Sequence, residues 1–168
     1  RLNGGRAVVA PKNIFLDMNA FERLIEENEV KALFITTALF NNLVEEEPKA
    51  LGKVRELLFG GEKTSLKHVE RFHALYPGVQ LKNVYGPTEN TTFSSFYPID
   101  PETELRKVPI GKPISNSTCY ILDQYGKLMP IGAIGEICVG GVGLAKGYLN
   151  NEELTREKFI DHPFIPSE

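Results

Sequence analysis

The chain has 168 residues, 42% of them hydrophobic, and a formal net charge of −3 with its lysines and arginines scattered. This length and composition exclude a disordered chain and predict one domain or two small lobes, while the lack of a basic patch argues against nucleic acid as a partner. Two cysteines are too few for a disulfide framework. No apolar run reaches the about 18 residues of a membrane span, and no secretory signal pattern begins the chain, so we expect a cytoplasmic protein without a membrane partner.

The first hundred residues alternate short β-rich runs with amphipathic helical patterns, which is typical of a largely parallel sheet covered by helices. The predicted strands are Ala7–Ala10, Ala32–Ile35, Glu56–Phe59 and Leu81–Tyr85. The predicted helices are Asp17–Glu29, Thr37–Glu46 and Ser65–Tyr76, each with apolar residues at helical spacing. We expect Asp17, Thr37 and either Thr64 or Ser65 as N-caps, and Gly78 as the residue that closes the third helix.

After about Pro101 the pattern changes to short strands separated by glycine and proline. Strands are predicted at Thr118–Leu122, Lys127–Met129 and Glu136–Val139, with a turn at 123–126. We therefore predict an α/β lobe at 1–100 followed by a β-rich lobe at 101–168.

The segment 83–89, Asn-Val-Tyr-Gly-Pro-Thr-Glu, combines an aromatic ring, a tight turn, a hydroxyl and a carboxylate. Tyr85 offers a stacking surface for a base, Gly86 and Pro87 favour a turn, and Glu89 supplies an oxygen ligand of the kind that Mg²⁺ prefers. These residues predict a site for a nucleotide and its metal, and the alternative is an ordinary turn between strand and loop.

A second candidate lies where the third predicted strand ends, at Gly60, Gly61 and Glu62. Paired glycines let the backbone approach a flat ligand closely, and ligands of open α/β sheets bind at the carboxyl ends of strands. The alternative for this pair is a plain turn before a helix.

A glycine-rich segment, Gly-Glu-Ile-Cys-Val-Gly-Gly-Val-Gly-Leu-Ala-Lys-Gly-Tyr-Leu, occupies 135–149. Its glycines do not have the spacing of a dinucleotide loop or a P-loop, so we interpret them as structural turns. Together with 83–89, however, the segment resembles the adenylation domains of nonribosomal peptide synthetases, which belong to the adenylate-forming enzymes. Their two motifs read N-x-Y-G-P-T-E and G-E-L-C-x-G-G-x-G-x-A-R-G-Y, and this chain differs mainly by Ile137 and Lys146.

The resemblance covers nearly the whole chain and implies a flavodoxin-like sheet leading into a partial β-barrel. It also implies formation of an aminoacyl adenylate from ATP and an amino acid, with Mg²⁺ bound at Glu89. Adenine would lie between Tyr85 and the backbone of Gly60, Gly61 and Glu62, and Asn83 would bind its amine. Thr88 would bind the α-phosphate region, and the Gly86 carbonyl would face the substrate ammonium. In the parent protein the partners would be a peptidyl carrier domain with phosphopantetheine and a condensation domain.

By the same resemblance the amino-acid pocket is formed by Phe34, Leu58, Gly60, Val84, Thr92 and Phe93. Such a lining carries no charge, and burying an unpaired charge is costly, so acidic and basic substrates are excluded. The set resembles that of relatives which activate branched aliphatic amino acids, isoleucine first and then valine or leucine.

Several family motifs are absent from this sequence, including a phosphate loop and a C-terminal catalytic lysine. We therefore expect an internal fragment of the N-terminal core that is inactive by itself and of low stability or self-associating. Two alternatives remain: the core of an acyl- or aryl-CoA ligase, which shares the Tyr-Gly-x-Thr-Glu loop, and a non-catalytic subdomain that binds nucleotide, substrate or another subunit.

Overall fold

The computed structural model describes residues 4–162, 164 and 165. By their contacts these residues form two compact units, which alternate along the chain. Of the described residues, unit 1 comprises 4–83 and Tyr97–Pro109, and unit 2 comprises Val84–Phe96, 110–162, 164 and 165. A division into lobes at 1–100 and 101–168 stays a prediction. No helix in the described part of the chain is long and apolar enough to span a bilayer.

The predicted α/β class is confirmed. The α-helices are α1 (Met18–Glu27), α2 (Thr37–Glu46), α3 (Leu66–Leu75) and α4 (Glu152–Lys158). The strands are β1 (Ala32–Thr36), β2 (Glu56–Gly60), β3 (Gln80–Tyr85), β4 (Ser95–Ile99), β5 (Lys112–Pro113), β6 (Ser117–Leu122) and β7 (Glu136–Gly141). Short 3₁₀ helices occupy Ile14–Leu16 and Lys49–Lys53. The larger sheet has the order β1 to β5, and the smaller sheet consists of β6 and β7.

Unit 1 is held together by an apolar core between its helices and the parallel pair β1 and β2. At its centre the ring of Phe40 stacks on Phe59 with centroids 4.3 Å apart and meets Phe72 at 5.6 Å. All three rings are fully buried, as are Phe21 and Leu57. Burying a large apolar side chain stabilises a fold by about 1.5–3 kcal/mol, so these rings account for much of the stability of unit 1.

Local signals explain where the helices of unit 1 begin and end. Asp17 caps α1 as predicted, since its Oδ1 accepts a hydrogen bond from the Ala20 amide at 3.0 Å. The N-cap of α2 is Thr36, which accepts from the Leu39 amide, and the prediction of Thr37 was wrong by one residue. Ser65 precedes α3 without a side-chain capping bond, and α3 ends at Leu75 rather than at a glycine cap.

The segment Ala7–Ala10 does not form the predicted strand. Its short β-rich run predicted a strand, but Val9 is 90% exposed.

Unit 2 contains the antiparallel hairpin of β6 and β7, whose register runs from Ser117 opposite Gly141 to Leu122 opposite Glu136. The turn predicted at 123–126 is confirmed, because the Gly126 amide donates to the Asp123 carbonyl at 3.1 Å and Gly126 has a φ of +73°. The predicted strand Lys127–Met129 is reduced to one bridge, between Leu122 and Leu128. Sequence reasoning missed α4, which begins after the N-cap Asn151.

Candidate functional site

The predicted site residues are distributed over both compact units. Unit 1 holds Phe34, Leu58, Gly60, Gly61, Glu62 and Asn83, and unit 2 holds Val84, Tyr85, Gly86, Thr88, Glu89, Thr92 and Phe93. Each set has its own geometry, and the ligand roles of both sets stay predictions.

In unit 1 the parallel register of β1 and β2 places predicted pocket residues next to each other. Phe34 lies opposite Leu58, and Thr36 lies opposite Gly60. Leu58 alternates along β2 with the fully buried Leu57 and Phe59, and side chains alternate between the two faces of a strand. The predicted pocket residues of β1 and β2 therefore share the face of the sheet that is turned away from the core of unit 1.

Two features of unit 1 distinguish the ends of β2 and β3. Gly61 follows β2 with a φ of +99°, a conformation that L side chains rarely adopt. Asn83 is buried, and its Nδ2 donates to the Pro109 carbonyl at 2.8 Å while Thr64 Oγ1 lies 3.5 Å from its Oδ1. A carbonyl oxygen has two lone pairs, so Asn83 Oδ1 retains capacity for a further donor.

In unit 2 the loop after β3 folds back on its own strand. The Ser94 amide donates to the Tyr85 carbonyl at 2.7 Å, and a Cβ at Gly86 would lie 2.3 Å from the Thr92 carbonyl oxygen. Thr92 has a φ of +56°, a left-handed conformation that costs about 1–2 kcal/mol for a residue with a Cβ. The predicted pocket residue Thr92 is thus held in a strained conformation against the backbone of Gly86.

Glu89 lies in this loop with its carboxylate partly exposed and bonded to a distant tyrosine. The Tyr148 hydroxyl donates to Glu89 Oε1, although the two residues are 59 positions apart. This bond lowers the pKa of Glu89 below its usual range and raises the pKa of Tyr148. Glu89 is therefore ionised and Tyr148 neutral around pH 7.

The loop and the glycine-rich segment are also bonded through their backbones. The amide and the hydroxyl of Thr91 both donate to the Gly143 carbonyl, at 2.9 and 2.8 Å, and the Ala145 amide donates to the Glu89 carbonyl at 2.8 Å. A Cβ at Gly143 would lie 2.5 Å from Asn90 Oδ1. The glycine-rich segment therefore fixes the loop that carries Glu89, and the interpretation of its glycines as structural turns stays a prediction.

A cavity of about 300 Å³ in unit 2 adjoins both motifs. Its lining includes Tyr85, Pro87, Glu89, Tyr148 and Lys158. Burial raises the pKa of Tyr85, and the nearby charge of Glu89 adds to this effect. The cavity thus presents one aromatic hydroxyl from each motif together with four charged side chains, those of Glu89, Glu136, Glu157 and Lys158.

Comparison with known proteins identifies the family. The family model described as AMP-binding enzyme matches residues 2–149. The chain is 46% identical over 168 residues both to surfactin synthase subunit 1 from Bacillus subtilis (strain 168) and to bacitracin synthase 1 from Bacillus licheniformis. Each alignment covers 99% of this chain but only 5% and 3% of those relatives, respectively.

Solved structures also match this chain. Holo-PA1221, described as a nonribosomal peptide synthetase protein containing adenylation and PCP domains bound to a vinylsulfonamide inhibitor, matches with a TM-score of 0.79 at 38% identity, covering 84% of this chain and 25% of that chain. The N-terminal subdomain of Klebsiella oxytoca NpsA, in complex with 3-hydroxybenzoyl-AMSN, matches with a TM-score of 0.80 at 26% identity, covering 95% of this chain and 40% of that chain.

The chain therefore belongs to the AMP-binding enzymes. Within them it is part of an adenylation domain of the nonribosomal peptide synthetase type, which confirms the family predicted from the two motifs.

Proposed function

We propose that this chain forms part of a site that activates a branched aliphatic amino acid. The substrate carboxylate attacks the α-phosphorus of ATP, pyrophosphate leaves, and an aminoacyl adenylate forms. The observation that carries the proposal is the loop of Glu89, an ionised carboxylate beside Tyr85 on a cavity of about 300 Å³ in unit 2. The relatives among peptide synthetases favour amino acids over other acids as substrates.

Glu89 fits the requirements of a magnesium ion that accompanies ATP. Among the described residues, no three or more His, Cys, Asp or Glu side chains are grouped so that they could hold a metal ion by themselves. Mg²⁺ in nucleotide sites is usually bound by one or two carboxylates together with phosphate oxygens and water. Glu89, one of three glutamates that line the cavity, would supply one carboxylate of that donor set, and a bound Mg²⁺ would offset phosphate charge.

The residues of the chain contribute mainly by positioning and by electrostatics, which supply most of the rate in such reactions. We assign Tyr85, Asn83 and the backbone of Gly60, Gly61 and Glu62 to binding of adenine. Thr88 is exposed in the loop, and we assign its hydroxyl to the α-phosphate region. The Gly86 carbonyl is assigned to the substrate ammonium.

The substrate class follows from the residues that the family resemblance assigns to the amino-acid pocket, namely Phe34, Leu58, Gly60, Val84, Thr92 and Phe93. The shared face of Phe34 and Leu58 supports an apolar wall. Isoleucine is the first candidate, and valine and leucine follow, because one methylene changes binding in an apolar pocket by only about 1–3 kcal/mol.

The aminoacyl group of the adenylate would then be transferred to the phosphopantetheine thiol of a carrier domain, with AMP as the leaving group, and a condensation domain would act later in the reaction sequence. The related protein PA1221 contains an adenylation domain and a PCP domain in one chain, which supports a carrier as partner. Inactivity of the chain by itself and its cytoplasmic location stay predictions.

Binding of stable adenylate analogues tests the proposal. We would add flanking segments from the surfactin synthase relative to complete the domain, and measure by calorimetry the affinities for isoleucyl-, leucyl-, phenylalanyl- and aspartyl-sulfamoyl adenosine. We expect the isoleucyl analogue to bind most tightly and the aspartyl analogue least, and Tyr85→Leu to weaken binding by about 1–3 kcal/mol. Tyr125→Leu, at an exposed turn, is the matched control. Equal affinities for all four analogues would contradict the proposal.

A further inference from the structure

We propose that Tyr148 is a positioning residue that holds the Glu89 carboxylate in place for the metal ion. This inference rests on the proposed function, because it assumes that Glu89 binds Mg²⁺. Its basis is the hydrogen bond from the Tyr148 hydroxyl to Glu89 Oε1 within unit 2. A hydrogen-bond partner of a ligating carboxylate orients it and so raises metal affinity.

Tyr148 can act in this way because its own position is fixed. Its amide donates to Thr155 Oγ1 at 2.9 Å, and Thr155 Oγ1 in turn donates to the Asn151 carbonyl at 2.8 Å. The Tyr148 ring meets the Phe159 ring edge-on with centroids 5.4 Å apart. Thr155 lies on α4 and Phe159 directly follows it, so the short helix that sequence analysis missed anchors the tyrosine.

Gly147 makes this arrangement sterically accessible. Its φ is +138°, and a Cβ at this position would lie 2.5 Å from Thr155 Cγ2. Only glycine combines this backbone conformation with so close an approach to a neighbour. Gly147 therefore brings the amide of Tyr148 to α4. Tyr148 in turn directs its hydroxyl to Glu89.

The backbone of Glu89 is held by the same segment, since the Ala145 amide donates to the Glu89 carbonyl. Glu89 is thus bonded to the glycine-rich segment through both its main chain and its side chain. A free glutamate side chain loses rotamer entropy when it is immobilised. Because the protein has already immobilised the Glu89 side chain, binding of the metal ion does not incur that loss of entropy.

The chemical type of the donor, the Tyr148 hydroxyl, also suits a positioning role at Glu89. Tyr148 donates through an uncharged phenol hydroxyl, so it orients the carboxylate without cancelling its charge. Lys158, which lines the same cavity, forms an ion pair with Glu157 at 2.9 Å. A carboxylate has about four lone-pair sites, so Glu89 can accept the tyrosine bond and still coordinate a cation with its full negative charge.

The test measures metal binding directly rather than turnover. In the completed adenylation domain with a non-hydrolysable ATP analogue bound, Mn²⁺ affinity is measured by electron paramagnetic resonance. We expect Tyr148→Phe to weaken Mn²⁺ binding by about 10–100-fold and to leave the affinity for isoleucine and for the metal-free nucleotide unchanged. Tyr125→Phe is the matched control, since it removes a hydroxyl from an exposed ring of the same unit.

Glu89→Gln and the double variant separate the outcomes. If Tyr148 acts through Glu89, adding Tyr148→Phe to Glu89→Gln produces no further loss of Mn²⁺ affinity. If Glu89→Gln weakens Mn²⁺ binding but Tyr148→Phe has no more effect than Tyr125→Phe, the positioning role is overturned while the metal role of Glu89 stands. If Tyr148→Phe weakens isoleucine and Mn²⁺ binding equally, its role is structural and the proposal is wrong. If Glu89→Gln leaves Mn²⁺ binding intact, the metal assignment fails and the positioning role fails with it.

Discussion

At Glu89 the hydroxyl of Tyr148 donates a hydrogen bond to an ionised carboxylate. A glutamate is ionised at neutral pH in any case, and the bond from Tyr148 lowers the pKa of Glu89 further. We predict that Glu89→Gln in the completed domain lowers kcat by about 100-fold or more, because charge stabilisation of the reacting phosphate is lost. The KM for the amino acid should change little. Steady-state exchange kinetics measure both, and equal losses in kcat and in amino-acid affinity would contradict the metal assignment.

Gly86 shows how closely the loop is packed on itself. A Cβ there would lie 2.3 Å from the Thr92 carbonyl oxygen and 2.7 Å from Phe93 Cα. Because both neighbours are backbone atoms, we predict that Gly86→Ala destabilises the fold by about 1–3 kcal/mol, measured by urea unfolding. Gly78→Ala is the control, since nothing lies within 4 Å of a Cβ at that position. A Gly86→Ala variant as stable as Gly78→Ala would contradict this packing.

At the scale of elements, the helices and parallel strands of unit 1 could be predicted because their apolar periodicity is strong. The predictions for α2 and β2 differ from the structure by at most one residue. Other elements gave weaker signals. Strand β4 contains Pro98, which argues against a central strand, and α4 has only seven residues and none that is buried.

The sequence carries signals for part of the candidate site, and the ligand roles of its residues stay predictions. Within 83–89 the residue types alone indicate a nucleotide, and the order of the two motifs indicated the family. The bond between Glu89 and Tyr148 could not be predicted, because it joins positions 59 residues apart and depends on Gly147, Thr155 and Phe159 as well. Periodicity describes residues that are close in sequence, and it carries no information about such a contact.

His73 on helix α3 makes the stability of the fold depend on pH. Nε2 of His73 has no hydrogen-bond partner among the described residues. Burial lowers the pKa of His73 below 6.5, and the charge of Asp100 opposes this effect. The unfolded chain has the higher pKa and binds more protons below pH about 6.5. The contribution of neutral His73 to the free energy of unfolding is therefore fully present above that pH. It is lost as the pH falls towards the pKa of His73 in the folded protein.

We predict that the free energy of unfolding, measured in urea, decreases as the pH falls from 7.5 to 5.5, and that His73→Gln makes this decrease smaller. Glutamine does not titrate, so its burial is independent of pH. If the free energy of unfolding decreases equally with pH in the wild-type chain and in His73→Gln, groups other than His73 cause the decrease.

At the scale of the molecule, large apolar side chains on the surface are concentrated in unit 2. Exposed examples are Tyr125, Leu128, Ile131, Ile134, Val142 and Leu149. Exposed apolar surface of this kind promotes association. We predict that the chain by itself self-associates and that the double variant Ile131→Ser/Ile134→Ser associates less, as measured by sedimentation velocity over a range of concentrations. Leu16→Ser, at an exposed position of unit 1, is the control. A wild-type chain that sediments as a monomer throughout would contradict the prediction.

Amino-acid-dependent exchange of pyrophosphate into ATP tests the proposed activity most directly. It should be measured for each proteinogenic amino acid with this chain and with the domain completed by flanking segments. We predict exchange only in the completed domain, led by isoleucine, followed by valine and leucine, and absent with charged amino acids. A completed domain that is folded but catalyses no exchange with any amino acid, or that prefers a charged one, would contradict the function proposed for this chain.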